Sequence, residues 1–383
     1  MNSENEIIEN GAIRTEGNKI AEIGKSEELS GSNEEIIDMG GINVYPGFID
    51  AHTHLGIFGD SEEYCDGNED SDPITPQLRV IDGIDTGNMY FEEAVRAGVT
   101  TAIISPGSTN PIAGQISAVK TYSPSFPDAG RIDDMVIKTP IAVKFALGEN
   151  PKSTYNDKEQ MPVTRMAVAA LIREALEKAK RYEKQKNQYE SDIENCDEPE
   201  YDQKSEAMLD LIRRNIPAHF HAHSANDIYT AIRIAKEFDI RAVIVHATQG
   251  HEICAGIINE VEGVLSGPIL TDVSKPELRH LSLSSPGIIS KSGIPTALIT
   301  DHPETPISLL TLCAAAAVRG GMDRNDALRA ITITPAEICG IADRTGSIEA
   351  GKDADLVFFR HDPFDITEKP LHTMIGGRLL SFE

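Results

Sequence analysis

Side chains that commonly bind metals end four apolar runs of this sequence. They are His52 and His54 in the first run, His219, His221 and His223 in the second, His246 in the third, and Asp301 and His302 in the fourth. Residues i and i+2 of a strand point to the same face, so alternate histidines can bind one ion side by side. Imidazole and carboxylate ligands together suit Zn²⁺, and also Fe²⁺, Mn²⁺ or Co²⁺. A single strand-end histidine is more often structural, but four strands that deliver such groups to one rim indicate a metal site.

The secondary-structure elements that must position these side chains are predicted to form an α/β barrel. Apolar runs that alternate with helix-capable segments predict βα units and a parallel sheet. The eight runs are 44–51, 99–105, 115–120, 141–147, 217–222, 242–246, 263–270 and 295–300. The segment that contains these runs is close in length to the ~250 residues that a (β/α)₈ TIM-type barrel typically needs. A doubly wound open sheet is the second interpretation, since no Gly-rich phosphate loop follows an early strand.

The two chain ends read as short strands with turns between them. We expect residues 1–45 and 344–383 to form a small β-sandwich domain together, and residues 46–343 to form the barrel. Two segments interrupt the barrel pattern. Residues 59–72 form an acidic loop after the first barrel strand, where loops often build an active-site mouth, although a solvated surface loop is equally consistent. Residues 181–206 continue a helix predicted over 166–182 into a charged, flexible insertion.

Composition excludes several classes of function. The formal net charge of −26 opposes binding to nucleic acid and to anionic membranes. No run approaches the ~18 apolar residues of a membrane span. The polar, acidic start of the chain does not resemble a secretory signal, so a cytoplasmic location is expected. The five cysteines are scattered and odd in number, which predicts reduced thiols and neither disulfides nor a cysteine zinc site.

These motifs closely resemble the amidohydrolase superfamily. The resemblance rests on Pro46-Gly-Phe-Ile-Asp-Ala-His-Thr-His, on His221, His246 and Asp301, and on the tail Gly346-Ser-Ile-Glu-Ala-Gly-Lys-Asp-Ala-Asp-Leu-Val. It covers nearly the whole chain. Within the superfamily the sequence looks most like the imidazolonepropionase-related and dipeptidase-related group. Gly114-Gln-Ile-Ser-Ala-Val-Lys-Thr, Leu147-Gly-Glu-Asn-Pro-Lys and Thr300-Asp-His-Pro support that placement.

The resemblance implies one or two divalent metal ions, most often zinc. His52, His54 and Asp301 would bind the more buried ion. His221 and His246 would bind a second ion, or in a one-metal enzyme one of them would orient water and substrate. Two-metal members have a bridging acid on the fourth strand, which is often a carboxylated lysine.

Lys144 lies on the predicted fourth strand and fits the bridging position. Glu149 is the rival, since other members use a strand-end glutamate there. The two residues have opposite strand parity, so both are not expected to be ligands of a regular strand, and we favour Lys144. A salt-bridged lysine inside the barrel is the structural alternative.

The resemblance also implies the catalytic roles. Asp301 would accept a proton from the water and pass it to the leaving nitrogen, and His246 would assist. Side chains expected to lie near the metal or the substrate are His223, His251, His302, Gln115 and Lys120.

The leading functional hypothesis is hydrolysis of a C–N bond in a small amide, a cyclic amide or a dipeptide. One alternative is imidazolonepropionase proper. Another is a deaminase of the same fold, although Ser224 stands where deaminases of the superfamily carry a glutamate. A third is a non-catalytic scaffold relative, but such relatives usually lose metal ligands. The expected partner is a small-molecule substrate, and the resemblance leaves room for a homo-oligomer.

Overall fold

A computed structural model of the protein describes residues 6–29, 35–59, 65–126 and 128–382. Asp60, Glu62 and Glu63 of the predicted acidic loop lie outside the described residues. Fourteen strands occur in the described part of the chain. They are β1 (Gly11–Glu16), β2 (Lys19–Lys25), β3 (Asn43–Pro46), β4 (Phe48–Thr53), β5 (Val99–Ile104), β6 (Ile112–Lys120), β7 (Val136–Ala146), β8 (Ala218–Ala222), β9 (Ala242–His246), β10 (Gly263–Ser266), β11 (Thr296–Leu298), β12 (Leu356–Phe359), β13 (His372–Ile375) and β14 (Arg378–Ser381).

Twelve α-helices occur in the same described residues. They are α1 (Ser26–Leu29), α2 (Met89–Arg96), α3 (Glu149–Asn156), α4 (Arg165–Ser191), α5 (Gln203–Glu206), α6 (Leu209–Ile212), α7 (Ala225–Phe238), α8 (Cys254–Ile257), α9 (Ser285–Lys291), α10 (Leu310–Arg319), α11 (Arg324–Arg329) and α12 (Ile333–Ile338). Polar caps fix where several of them begin: the Thr164 side chain accepts from Ala167 N–H at the start of α4. The charged insertion, residues 181–206, is helical up to Ser191 and again in α5. None of these helices is both long and apolar enough to span a membrane.

Strands β4 to β11 form one eight-stranded sheet in sequence order, which curves into a nearly closed α/β barrel of the TIM type. Each of the eight predicted barrel runs overlaps one of these strands. Inward-facing apolar side chains such as Ile103, Val243 and Leu265 fill the barrel interior, and they are fully buried. A larger apolar layer packs the strands against the surrounding helices. The predicted barrel is therefore confirmed.

The expected wholly parallel sheet is wrong at the third barrel strand. Strand β6 runs antiparallel to both β5 and β7. Residues 105–111 alone connect β5 to β6, whereas a parallel crossover needs about a dozen residues or more. In the described part of the connection from β6 to β7, the one helical element is a short 3₁₀ turn, Ile132–Asp134. Strand β6 therefore ends at the opposite rim from the other barrel strands.

The two chain ends form a small sheet domain beside the barrel. A four-stranded antiparallel sheet has the order β14-β13-β12-β3, and β1 pairs with β2 in a separate hairpin. Ile20, Leu356 and Phe358 belong to the apolar cluster that joins the two layers. The first predicted run divides at Gly47, since β3 belongs to this sheet and β4 to the barrel. A Cβ at Gly47 would lie 2.2 Å from Thr100 Oγ1, so the close approach there requires glycine.

All five cysteines lie in the described residues and are free thiols. Cys313 and Cys339 are buried in the apolar core. Burial raises the pKa of each of these two thiols to about 12, so both stay protonated at neutral pH.

Candidate active site

Two histidines of β4 and an aspartate that follows β11 form the first cluster of ligand-type groups. Asp301 Oδ1 lies 3.4 Å from His52 Nε2 and 3.4 Å from His54 Nε2. The other ring nitrogen of His54, Nδ1, lies 2.7 Å from the Ser105 carbonyl oxygen, which orients Nε2 toward Asp301. The structure brings these three predicted residues together, and each can offer a ligand atom to one ion.

Backbone hydrogen bonds hold this first cluster together where the barrel closes. Asp301 N–H donates to the His52 carbonyl at 3.2 Å, and His54 N–H donates to the His302 carbonyl at 2.9 Å. These bonds join the end of the first barrel strand to the segment after the last one. The relative position of the ligands is therefore fixed by the main chain as well as by side-chain packing.

A buried carboxylate, Asp50, also joins the end of β4 to the segment after β11. Asp50 accepts hydrogen bonds from His52 N–H at 3.3 Å, from Thr300 N–H at 3.3 Å, and from the Thr300 hydroxyl. Burial raises the pKa of Asp50 to about 7, while these hydrogen bonds act in the opposite direction. Sequence reasoning missed Asp50, although it precedes His52 by two residues in the quoted motif.

Lys144 lies inside the barrel beside the first cluster. Its side chain is fully buried, and Nζ lies 3.2 Å from His52 Nε2. Burial lowers the pKa of Lys144 to about 7. The salt-bridged lysine considered from sequence is not what the structure contains, because no carboxylate of the described residues lies within ion-pairing distance of Nζ. Glu149, the rival for the bridging role, begins α3, and its side chain lines a cleft next to the site.

A second cluster is formed by His221, His223 and His246. His246 Nε2 lies 2.8 Å from His221 Nδ1, and His246 Nδ1 lies 2.7 Å from the Gly267 carbonyl oxygen. His223 Nδ1 lies 2.7 Å from Thr248 Oγ1. Sequence reasoning gave His223 a supporting role, whereas the structure brings it together with the other two imidazoles.

Two of the grouped residues have an unusual backbone conformation at their strand ends. His246 has φ 75° and Asp301 has φ 54°, which are uncommon values for residues other than glycine. In β9, Val243 and Val245 face the barrel interior, so regular alternation would turn His246 outward. The left-handed conformation brings its ring to the rim instead, where it meets His221. Such local strain is typical of functional sites.

Burial also sets the charge state of the imidazoles. It lowers the pKa of His221 and of His223 well below 6.5, with further lowering from neighbouring His246. Burial likewise lowers the pKa of His246 to about 4. These rings are therefore neutral at pH 7, which is the form that binds metals. Burial opposes ionisation of Asp301, but the nearby His246, His54 and Lys144 hold its pKa below the usual value.

Glu277 is a buried acid at this rim that sequence reasoning missed. It lies in the loop after β10, and its side chain is 4 % exposed. Its Oε1 lies 3.7 Å from His223 Nε2 and 4.0 Å from His221 Nε2. A loop glutamate in Lys275-Pro-Glu has no sequence signal that distinguishes it from a surface acid.

The remaining predicted site residues take different positions. His302 is buried beside Asp301, and its ring packs edge-on against Tyr90 at 4.4 Å between centroids. His251 Nε2 lies 3.9 Å from Glu252 Oε1, and His251 belongs to neither cluster. Gln115 is half-buried in β6, where its N–H donates to the Leu78 carbonyl.

Lys120 does not face the site. Its ammonium pairs with Asp353 at 3.0 Å and with Asp355, beside the small sheet domain. The expectation that Lys120 faces the substrate is wrong because β6 runs backwards and ends at the far rim.

A cleft of ≈ 490 Å³ opens next to the second cluster. Glu277 lies at its edge, and Lys152, Arg165, Arg279 and Gln249 also line it. Arg165 is held by Asp227 through a two-point ion pair, with distances of 2.8 Å and 3.1 Å. The cleft gives a small molecule access to the rim where the ligand-type side chains converge.

Comparison with known proteins agrees with this geometry. Residues 277–380 match the profile of the amidohydrolase family. An amidohydrolase from Thermotoga maritima MSB8 of known structure is 38 % identical, with a TM-score of 0.91 over 96 % of this chain and 94 % of that one. The chain belongs to the amidohydrolase family. Its histidine and aspartate clusters fit a divalent metal site.

Two further relatives are similar over most of this chain. Amidohydrolase tasK from Hapsidospora irregularis is 28 % identical over 392 residues, which are 97 % of this chain and 39 % of that protein. Imidazolonepropionase from Thermoplasma acidophilum is 27 % identical over 387 residues, which are 94 % of this chain and 85 % of that protein. This amidohydrolase thus spans about two fifths of tasK and most of the imidazolonepropionase.

Proposed function

We propose that this amidohydrolase cleaves a C–N bond in a small amide, a cyclic amide or a dipeptide, with water activated by one or two divalent cations. The observation that carries the proposal is the convergence of His52 Nε2 and His54 Nε2 on Asp301 Oδ1, at 3.4 Å each. Zinc is the expected metal for this ligand set, with iron, manganese and cobalt as alternatives.

The proposed roles of His52, His54 and Asp301 in hydrolysis follow from the positions of their side chains. His52, His54 and Asp301 would hold a divalent cation, which would supply a water of lowered pKa and a Lewis acid for the scissile carbonyl. Asp301 is ionised at neutral pH because its pKa is held low, so a carboxylate oxygen can accept the water's proton. The resulting carboxylic acid then donates that proton to the leaving nitrogen.

Lys144 is the proposed bridging group, in carboxylated form. The chemistry requires a neutral amine to react with carbon dioxide, and a pKa of about 7 leaves a large neutral fraction at physiological pH. Its Nζ lies next to His52, whereas the side chain of Glu149 lines the cleft. A carboxylated Lys144 would also replace a buried, unpaired ammonium with a group suited to bind cations.

Imidazolonepropionase is the named relative that supports a cyclic amide among the substrates, at 27 % identity. A deaminase is disfavoured because Ser224 caps helix α7. Its hydroxyl donates to Asp227 Oδ2 at 2.6 Å, and it offers no carboxylate to His221. A non-catalytic scaffold is disfavoured because the ligand-type side chains remain grouped, with the imidazoles of the second cluster neutral and the Asp301 carboxylate ionised.

The test is an assay of the purified protein against dipeptides and cyclic amides, including imidazolone propionate, with amine release and ammonia release measured separately. We expect amine release or ring opening that a chelator abolishes and added Zn²⁺, Mn²⁺ or Co²⁺ restores. Asp272→Asn is the matched control for Asp301→Asn. It makes the same change at an exposed carboxylate outside the site and should retain activity. Ammonia release from a nucleobase-type substrate would support the deaminase instead.

A further inference from the structure

Residues 105–111, which we call the β5–β6 loop, lie at the rim that carries the histidine clusters. Strand β5 runs parallel to β4 and ends at this rim, and antiparallel β6 starts from it. A short loop can make this connection because antiparallel neighbours need no crossover. Ser108 of the loop contacts His221 of β8, which lies three strands further along the sheet. The loop therefore reaches over part of the barrel mouth.

Hydrogen bonds on both sides of Ser108 hold the β5–β6 loop in place. Before it, Gly107 N–H donates to the Gly67 carbonyl at 2.7 Å. After it, Asn110 is 1 % exposed, and its Nδ2 donates to Thr75 Oγ1 at 2.9 Å. The Tyr155 hydroxyl donates to Asn110 Oδ1 at 2.6 Å. Ser108 is thus presented to the barrel mouth from a fixed backbone, as a functional side chain requires.

The Ser108 hydroxyl meets the two imidazoles that converge at the second cluster. Ser108 Oγ lies 3.0 Å from His221 Nδ1, and His246 Nε2 lies 2.8 Å from the same atom. Both rings are buried, whereas Ser108 is half-buried. Oγ has no other hydrogen-bond partner among the residues that the structure describes. The hydroxyl is therefore the member of this group that a molecule from solvent can reach most easily.

The hydrogen on Ser108 Oγ is free to bond to another molecule. His246 Nδ1 lies 2.7 Å from the Gly267 carbonyl oxygen, which can only accept, so Nε2 of the neutral ring carries the lone pair. A hydrogen bond between the rings then places the hydrogen of neutral His221 on Nδ1, where Ser108 Oγ is also an acceptor. If both rings instead bind a cation, the Nδ1 lone pair is used, and the hydroxyl hydrogen again has no acceptor there.

The same row of contacts continues to the proposed proton acceptor. His246 Nδ1 lies 4.0 Å from Asp301 Oδ2, so Ser108, His221, His246 and Asp301 follow one another across the rim. The row has a neutral hydrogen-bond donor at one end and a carboxylate at the other. Hydrolysis of an amide needs both: a donor for the carbonyl oxygen, which gains negative charge, and a base for the attacking water.

We propose that Ser108 is a catalytic residue whose hydroxyl donates a hydrogen bond to the oxygen of the scissile carbonyl. The inference rests on the proposed hydrolysis of a C–N bond and names a further residue for it. When the water oxygen bonds to the carbonyl carbon, the π pair of the C=O bond moves to the carbonyl oxygen. The hydrogen bond from Ser108 strengthens as that oxygen becomes negative.

The protons and electrons of this step balance without a charge on Ser108. The attacking water gives its proton to Asp301. As the C–N bond breaks, the C=O bond forms again, and the nitrogen leaves with the electron pair of the C–N bond and takes the proton from Asp301. Ser108 keeps its own proton throughout, so its contribution depends on the hydroxyl as a donor.

The test is the kinetics of Ser108→Ala with the dipeptide or cyclic amide that the wild type cleaves fastest in the assay above. We expect kcat to fall by ~10²–10³-fold, as for the loss of one donor to an oxyanion, with little change in KM. Ser108→Thr keeps a hydroxyl and should retain most of the turnover. Ser125→Ala is the matched control, because it makes the same change at an exposed serine outside the site.

A second measurement separates direct contact with the substrate from a structural role. The probe is an analogue of the same substrate with tetrahedral phosphorus in place of the scissile carbonyl carbon, and its Kd is measured by calorimetry. Across the wild type, Ser108→Thr and Ser108→Ala, this Kd should rise in proportion to the loss of kcat/KM. The metal content per chain and the free energy of unfolding should stay unchanged.

The remaining outcomes distinguish this inference from the proposed function. Near-normal kcat in folded Ser108→Ala would overturn the inference and leave the hydrolase. Lost turnover with an unchanged Kd for the analogue, or with loss of metal, would also overturn it and make Ser108 a residue that only positions His221. No turnover of any amide by the wild type would contradict the proposed function, and the inference with it.

Ser108→Cys covers the case in which Ser108→Ala does not fold. The thiol has nearly the shape of the hydroxyl but is a weak hydrogen-bond donor. We expect a folded variant with reduced kcat and weaker binding of the phosphorus analogue. Wild-type values of both in Ser108→Cys would contradict donation from residue 108.

Discussion

The barrel carries buried titratable side chains at both ends, and the two ends differ in how completely the polar atoms of those side chains are hydrogen-bonded or paired. At the end next to the small sheet domain, Asp353 pairs with Lys19 at 2.7 Å, Lys120 at 3.0 Å and Arg344 at 2.7 Å. At the rim with the histidine clusters, His52 Nδ1 and His221 Nε2 are buried without a hydrogen-bond partner among the described residues.

The difference indicates different roles for similar residue types. A fully paired network stabilises and specifies the packing of its elements, whereas unsatisfied buried polar atoms are costly and need an explanation. At the histidine rim these residues are grouped with other ligand-type side chains, which points to a role in chemistry. We therefore expect substitutions at the paired end to change stability, and substitutions at the rim to change chemistry.

Asp301→Asn should have the largest effect on activity. The amide keeps the shape of the side chain but cannot accept the water's proton, so turnover should fall by ~10²–10⁴-fold. The free energy of unfolding should change little. Steady-state kinetics and urea denaturation measure the two effects, and near-normal turnover would remove Asp301 from the proton-transfer role.

Asp353→Ala should have the converse effect. It leaves Lys120 and Arg344 without their shared carboxylate, and breaking a buried ion pair from one side costs about 3–5 kcal/mol. Metal content per folded chain should be unchanged. Loss of bound metal without loss of stability would show that the two ends are coupled. It would contradict the claim that the paired end affects stability and the histidine rim affects chemistry.

Lys144→Met tests whether the buried lysine serves chemistry or stability. An unpaired buried ammonium is unfavourable, so the metal-free variant should be as stable as the metal-free wild type, or more so. Turnover should nevertheless fall sharply, because the bridging group is lost. Chelator-treated proteins compared by urea denaturation give the first value. A large loss of stability would instead indicate a structural lysine.

The smallest expected effect is on the pH dependence of the free energy of unfolding, to which Asp353 at the paired end contributes. The salt bridges from Arg344, Lys120 and Lys19 outweigh burial and hold the pKa of Asp353 below its value in the unfolded chain. The unfolded state then binds more protons as pH falls below about 3.8, so the stability that Asp353 contributes above that pH is lost. Asp353→Asn should flatten this part of the curve of unfolding free energy against pH, and an unchanged slope would contradict the assignment.

Much of the barrel and of the first cluster could be predicted from the sequence. The apolar runs identified all eight strands, and the strand-end motif led to His52, His54 and Asp301. The direction of β6 was not predicted, because strand periodicity carries no information about direction. Only the short connection before it, residues 105–111, held that information, and Lys120 was consequently assigned to the wrong rim.

The second cluster was harder to predict because backbone geometry forms it. Alternation along β9 would direct His246 away from the barrel interior, and its left-handed φ of 75° reverses that direction. Glu277 reaches the site from a loop whose path depends on tertiary packing. No periodic pattern predicts either feature, so both required the structure.

The measurement that tests the central claim most directly is the content of divalent metal in the purified wild-type protein, by elemental analysis, after growth in medium supplemented with zinc, iron and manganese. The two clusters predict two equivalents per chain. A folded protein that contains no divalent metal under these conditions would contradict a metal-dependent hydrolase.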